Sequence, residues 1–194
     1  MSFRLGLTGS IGMGKTTTAG LFAEAGCAVW DADAAVHRLY AKGGAAVAPI
    51  GAAFPDALVE GAISRPALRR IIAADPGALT RIEEIVHPLV RADREAFAEG
   101  AEAQIVVFDI PLLFETGGQA EMDATACVYV SHETQRARVL ERGTMSEADF
   151  EAILAKQMPI QDKLDRADFT IRTQDLETAR MDVQDVLTQI EKRL

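Results

Sequence analysis

Asparagine is absent from this 194-residue chain, and cysteine occurs only twice, at Cys27 and Cys127. The first absence removes the Asn-Lys-x-Asp segment with which regulatory GTPases read guanine. The two cysteines form no C-x-x-C pair and have no metal-ligand spacing, so two buried free thiols are expected rather than a disulfide framework or a thiolate metal site. No apolar run approaches the ~20 residues that a membrane span needs, and no internal repeat or low-complexity tract is visible. Positive charge is in short supply: 20 Lys and Arg face 29 Asp and Glu, a net charge of −9. Nucleic-acid binding rests on neutralising phosphates, so this balance argues against a nucleic-acid partner, and any anionic substrate must be held by local cationic clusters. An apolar stretch begins at Phe3, so no signal peptide is expected to precede it, and a cytoplasmic protein without a membrane partner is the expectation.

What is present is a phosphate-binding loop. The hydrophobic fraction of 48% with 25% charged residues is that of an ordinary globular protein, and the length suits one α/β domain carrying an insertion. Residues Gly9-Ser10-Ile11-Gly12-Met13-Gly14-Lys15-Thr16 match G-x-x-x-x-G-K-[ST] in full. Phe3 to Thr8 before them suits a buried strand, and Thr17 to Ala25 after them suits a helix. Glycines let backbone N–H groups turn inward around an anion, the helix N-terminus adds a favourable dipole, and Lys15 reaches the outer phosphates. Thr16 is placed to give its hydroxyl to Mg²⁺. A bound nucleoside triphosphate is the expected ligand, with Gly9 to Thr17 around its phosphates.

Four further apolar runs read as strands: Ala28 to Trp30, Ile105 to Phe108, Ala126 to Val130 and Phe169 to Ile171. Helical stretches separate them, which predicts a five-stranded parallel sheet with helices on its faces. Residues 34–100 form an Ala-rich insertion punctuated by glycines and prolines and read as a helical substrate lobe, with Pro76 and Pro88 each suited to the first turn of a helix. Residues 136–163 read as an arginine-bearing helical lid, with Ser146 and Asp149 as a capping-type helix start. The core then comprises residues 1–33, 101–135 and 164–194, closed by a helix with Ala179, Val183, Val186, Leu187 and Ile190 on one face.

Candidate chemistry gathers at the carboxyl ends of the strands, where ligands bind in open α/β sheets. Of the pair Asp31 and Asp33, Asp31 suits a helix cap, and Asp33 suits a carboxylate that takes a proton from an attacking hydroxyl. His37, one helical turn on, is either an orienting group or a surface residue. Gln104 to Phe108 is an apolar strand that ends in Asp109, the pattern in which a carboxylate holds Mg²⁺ directly or through water. Ile110 to Glu115 either lines a ligand cavity or belongs to the core. His87 near a helix cap suits a donor to a phosphate or sugar, and Arg65, Arg69 and Arg70 form either a diphosphate grip or a solvated face. Arg138 and Arg142, four apart, share a helix face that can bring cations to a migrating phosphoryl group, and Arg136 points elsewhere.

A short chain with an insertion between strands two and three and an arginine-rich lid fits a small-molecule kinase that closes over two substrates. Another metabolite kinase and a noncatalytic nucleotide-binding module are the alternatives that the motifs alone leave open. In addition to the phosphate loop, Asp31-Ala32-Asp33 with His37, Ile63 to Leu68, Ile85-Val86-His87-Pro88-Leu89-Val90, Asp109 to Glu115 and Gln157-Met158-Pro159 occur in one order along the chain. In this order they resemble the dephospho-coenzyme A kinase family. The resemblance implies a P-loop fold like that of the nucleoside-monophosphate kinases, in three layers, with core, helical substrate-binding lobe and lid. It implies transfer of the ATP γ-phosphate to the ribose 3′-hydroxyl of dephospho-coenzyme A, the last step of coenzyme A synthesis; a monomer or weak homo-oligomer is a separate expectation. Carried over, Asp33 is the base, Lys15 the phosphate clamp, Arg138 or Arg142 the lid cation and Thr16 a Mg²⁺ ligand, which Asp109 joins from the strand-end pattern above. Asp33, His37, Arg65, His87 and Leu113 are then the acceptor-binding residues. Gly143 and Ile153 depart from the family pattern, where many members have an acidic residue and an arginine.

Overall fold

The computed structural model describes residues 2–194. Along the chain the elements are β1 (Phe3–Thr8), α1 (Lys15–Glu24), β2 (Ala28–Asp31), α2 (Ala32–Tyr40), α3 (Val47–Ala53), β3 (Leu58–Val59), β4 (Ala62–Ile63), α4 (Arg65–Ala74), α5 (Ala78–Gly100), β5 (Ile105–Asp109), β6 (Ala124–Tyr129), α6 (His132–Glu141), α7 (Glu147–Leu154), α8 (Ile160–Arg166), β7 (Phe169–Arg172) and α9 (Leu176–Glu191). They form two compact units, one of the described residues up to Trp30 with Ala101–Leu194, the other of Asp31–Gly100. Among the described residues no helix is long and apolar enough to cross a membrane.

The first unit is built on the expected five-stranded sheet, in the order β2-β5-β1-β6-β7. The central strand β1 pairs in parallel with β5 and β6, and β6 with β7. Leu5 to Thr8 and all of β5 are buried, the near-continuous burial of strands covered on both faces. Register decides what meets at the carboxyl edge: Leu7 pairs with Asp109 and Thr8 with Cys127. Helix α9 starts where Asp175 accepts the Thr178 N–H at 2.7 Å, and buries Ala179, Val183, Val186, Leu187 and Ile190 in the sheet's core cluster. Each of its large apolar side chains is worth about 1.5–3 kcal/mol when fully buried. The capping box expected at Ser146 and Asp149 is present at the start of α7. Arg136 joins α6 to α7 through an Nε donation to Glu147 at 2.8 Å.

The second unit has its own core, in which Leu39, Ile50, Phe54, Ile63, Leu68, Ile82 and Val86 are buried. Three expectations fail in it. Pro76 lies in the turn before α5 and not in the first turn of a helix. Pro88 does not open a helix but lies inside α5, a continuous 23-residue helix. An interior proline forfeits one hydrogen bond at a cost of about 3 kcal/mol, and the apolar stripe through Ile82 and Val86, buried on the turns before it, carries the helix past that defect. The insertion is also not wholly helical, because β3 and β4 form a hairpin with Val59 opposite Ala62. Its two-residue loop has both residues left-handed, Glu60 at φ 51° and Gly61 at φ 84°, the geometry that matches the twist of the flanking strands. Glu-Gly is a weaker hairpin signal than Asn-Gly, and in a chain without asparagine the turn was hidden.

Candidate active site

The segment between β1 and α1 is shaped to surround an anion. Gly12 and Gly14 take φ values of +75° and +83°, which side chains resist. Neighbouring elements also crowd a Cβ: at Gly12 it would clash at 2.4 Å with a Val139 methyl carbon, and at Gly14 it would press on Thr173 at 3.2 Å. Gly14 caps α1 without any side-chain hydrogen bond, so the first-turn N–H groups are left for a ligand. A turn closes the loop from Met13 N–H to Ser10 C=O at 3.2 Å, and the Thr173 hydroxyl, distant in sequence, donates to the Met13 C=O at 2.7 Å.

Lys15 and Asp109 meet because the register sets the end of β5 beside the end of β1. The Lys15 ammonium donates to Asp109, whose side chain is 1% exposed. Thr16 presents its hydroxyl in the exposed first turn of α1. Among the described residues no group of three or more His, Cys, Asp or Glu is arranged to hold a metal. A hydroxyl and a carboxylate are hard oxygen donors, and so small a protein contribution fits Mg²⁺, which takes the rest of its shell from phosphates and water.

Beside the loop lies a cleft of about 250 Å³ lined by Gly14, Thr17, Arg138, Arg142, Thr173 and Asp175, among others. Arg138 donates from its guanidinium to the carbonyls of Thr173 at 2.6 Å and Gln174 at 3.0 Å. Both bonds come from Nη2 and hold Arg138 along the wall of the cleft. Arg142, at the exposed C-cap of α6, lines the same cleft.

The residues expected to hold an acceptor fall in the second unit, with one exception. Asp31 caps α2 by accepting the Ala34 N–H at 2.6 Å, which leaves Asp33 exposed in the first turn. His37 and Tyr40 follow at helical spacing on the same side of α2. Burial raises the Tyr40 hydroxyl pKa and the Arg65 charge lowers it in part, so the start of α4 lies close to that side. Ser64 caps α4 and exposes Arg65. His87 lies on an exposed face of α5, not at a cap. The exception is Leu113, expected to touch substrate. It is fully buried, and it fills the space where Gly6 of β1 has no side chain, so it is a core residue.

Sequence reasoning missed a buried network behind the loop. The Lys163 side chain is fully buried, 2.8 Å from Glu115 and 3.1 Å from the carbonyl of Pro111. Glu115 also accepts the Met158 N–H at 3.0 Å. Burial alone would raise the Glu115 carboxyl, but the bonds from Lys163 and Met158 prevail and hold it below the ordinary carboxylate value. Nothing in a short polar helix such as α8 marks one lysine as buried. Thr173 was legible in principle, since it follows a strand at the sheet's carboxyl edge.

A parallel sheet with a phosphate loop after its central strand, a carboxylate at the end of the neighbouring strand and a cleft beside the loop define a P-loop kinase. The chain belongs to the dephospho-coenzyme A kinase family, whose profile matches residues 3–177. Dephospho-CoA kinases from Ruegeria pomeroyi and Jannaschia sp. are 66% and 53% identical over 98% of this chain and 96% and 98% of their own lengths. A Thermus thermophilus protein of known crystal structure superposes with a TM-score of 0.84 at 32% identity, covering 100% of this chain and 98% of that one. The dephospho-CoA kinase of Campylobacter jejuni follows with 0.70 at 26% identity, over 99% and 98%. Shikimate kinase from Acinetobacter baumannii, with a TM-score of 0.51 at 20% identity over 100% of this chain and 95% of its own, shares the fold. The activity is therefore that of an ATP-dependent dephospho-coenzyme A kinase, which completes coenzyme A synthesis.

Proposed function

We propose that the γ-phosphate of ATP passes in line to the ribose 3′-hydroxyl of dephospho-coenzyme A, with Asp33 as the general base. The observation that carries the donor half is the phosphate loop, whose helix start has no side-chain cap, with Lys15 anchored on Asp109. ATP phosphates lie in the cradle of Gly9, Ser10, Ile11, Gly12, Met13, Gly14, Lys15, Thr16 and Thr17, and its adenosine in the cleft beside Arg138 and Thr173. Lys15 turns from Asp109 to the outer phosphates. Arg138 and Arg142 supply positive charge to the phosphoryl oxygens, since Arg138 gives only its Nη2 group to the carbonyls of Thr173 and Gln174. Thr16 and Asp109 would hold Mg²⁺, which would supply charge neutralisation to the phosphates.

Asp33 is suited to its role by position: Asp31 takes the cap of α2, so the Asp33 carboxylate is exposed and uncommitted to that cap. The 3′-oxygen forms the new P–O bond while the bond from the γ-phosphorus to the ADP oxygen breaks, and the hydroxyl proton goes to Asp33. His37, Arg65 and His87 bind the acceptor. The enzyme works in the cytoplasm on soluble substrates, as a monomer or weak homo-oligomer with neither nucleic acid nor membrane as partner, a reading consistent with its charge of −9. Steady-state assay of Asp33→Asn tests the base: loss of a general base costs about 10²-fold or more in kcat. Near-normal turnover in a correctly folded variant would remove Asp33 from the mechanism.

A further inference from the structure

A glycine-rich loop has little in its own covalent structure to fix its peptide planes. Gly12 tolerates either sign of φ, so the Ile11–Gly12 peptide can turn over at small local cost. In this structure it is gripped from outside. Gln135, 1% exposed on α6, donates its side-chain amide to the Ile11 carbonyl at 2.7 Å. Gln157, after α7, accepts the Ile11 N–H on its side-chain oxygen at 3.2 Å. The two peptide groups flanking one residue are thus both held by side chains more than a hundred positions away in sequence.

The consequence follows from peptide geometry. In a trans peptide C=O and N–H point in opposite directions, and no cis bond occurs among the described residues. Pulling the Ile11 carbonyl toward Gln135 therefore turns the Gly12 N–H the other way, away from α6. Gln157 is itself anchored, since its neighbour Met158 donates to Glu115, which is paired with the buried Lys163. We propose that Gln135 and Gln157 are positioning residues for phosphoryl transfer, a clamp on Ile11 that presents the Gly12 N–H to the nucleotide phosphates. This inference rests on the reading that Gly9 to Thr16 holds those phosphates.

The test is ADP affinity by titration calorimetry alongside steady-state kinetics for Gln135→Met, Gln157→Ala and Lys15→Ala. One hydrogen bond misdirected from a phosphate is expected to weaken ADP binding and raise KM for ATP about tenfold in each clamp variant. KM for dephospho-coenzyme A stays at the wild-type value, a split that general loosening of the fold does not produce. Wild-type ADP affinity in both clamp variants, or an equal rise in both KM values, overturns the clamp. If Gln135→Met fails to fold by circular dichroism, Gln157→Ala alone decides. Lys15→Ala separates the two ideas: normal ADP affinity there removes the phosphate-loop reading itself, whereas its loss with unaffected clamp variants removes only the clamp.

Discussion

Replacing Lys163 by methionine keeps an unbranched side chain, shorter by one atom, and deletes its charge. In the native protein Lys163 is fully buried, with its ammonium 2.8 Å from Glu115 and 3.1 Å from the Pro111 carbonyl. The carbonyl keeps a second donor, the Thr8 hydroxyl at 3.1 Å, so the damage concentrates on Glu115. That carboxylate is 18% exposed and retains only the Met158 N–H among its bonds to other residues. Breaking a buried pair from one side costs about 3–5 kcal/mol, and the residual exposure of Glu115 argues for the lower end. At about 2–4 °C per kcal/mol for a chain of this size, the melting temperature falls by roughly 6–12 °C.

The pH dependence has a definite sign. In the wild type the Glu115 carboxyl is held below its ordinary value, so the stability it contributes is fully present above that ordinary value, near 4.3, and is lost as pH falls through the folded value. Without Lys163 burial dominates and the carboxyl rises, so the penalty in the variant is largest at neutral pH and relaxes on acidification. Urea denaturation at pH 7 and pH 4 should show the gap between the two proteins shrinking. Adding Glu115→Gln to the variant should restore more than half of the loss, because the unpaired charge is gone. A gap independent of pH, or a double variant that loses the sum of the single effects, would refute this account of the pair.

Two further outcomes are expected. Burial pushes the Cys127 thiol up to about 12 despite the Lys163 charge, and burial with Glu191 pushes Cys27 up to about 11. Neither thiol should react with a disulfide reagent at pH 8 at a free-thiol rate, where roughly one in a thousand or fewer is thiolate, and both should react in denaturant. Fast labelling of the folded protein would contradict the burial argument. Gly12→Ala should abolish ATP turnover, because a Cβ there lies 2.4 Å from a Val139 methyl carbon on a backbone at φ +75°, and adding Val139→Ala should relieve the clash but leave backbone strain of about 1–3 kcal/mol. A Gly12→Ala enzyme with wild-type kcat/KM would show that the loop does not need its observed shape.

The local half of this protein could be read from its residues. Apolar runs between turn residues located every strand of the main sheet, and the capping pair at Ser146 and Asp149 marked a helix start. The hairpin at Leu58 to Ile63 and the unbroken α5 could not be read so, because each is a local preference overridden by burial of Ile63, Ile82 and Val86 in a shared core. Leu113 failed as a site residue for the same reason: apolar residues after a strand suit a ligand wall or a core equally well until the neighbouring strand shows a glycine that they must fill.

By itself the sequence determined the phosphate loop, the strands around it and the carboxylates at their ends, because these depend on spacing along the chain and on the backbone freedom of glycine. Only the tertiary structure decided that Lys15 meets Asp109, that Arg138 is a wall of the cleft, and that Gln135, Gln157 and Lys163 stand behind the loop. Those pairings join residues from about 35 to 150 positions apart, and sheet register and burial, which no local pattern encodes, bring them together.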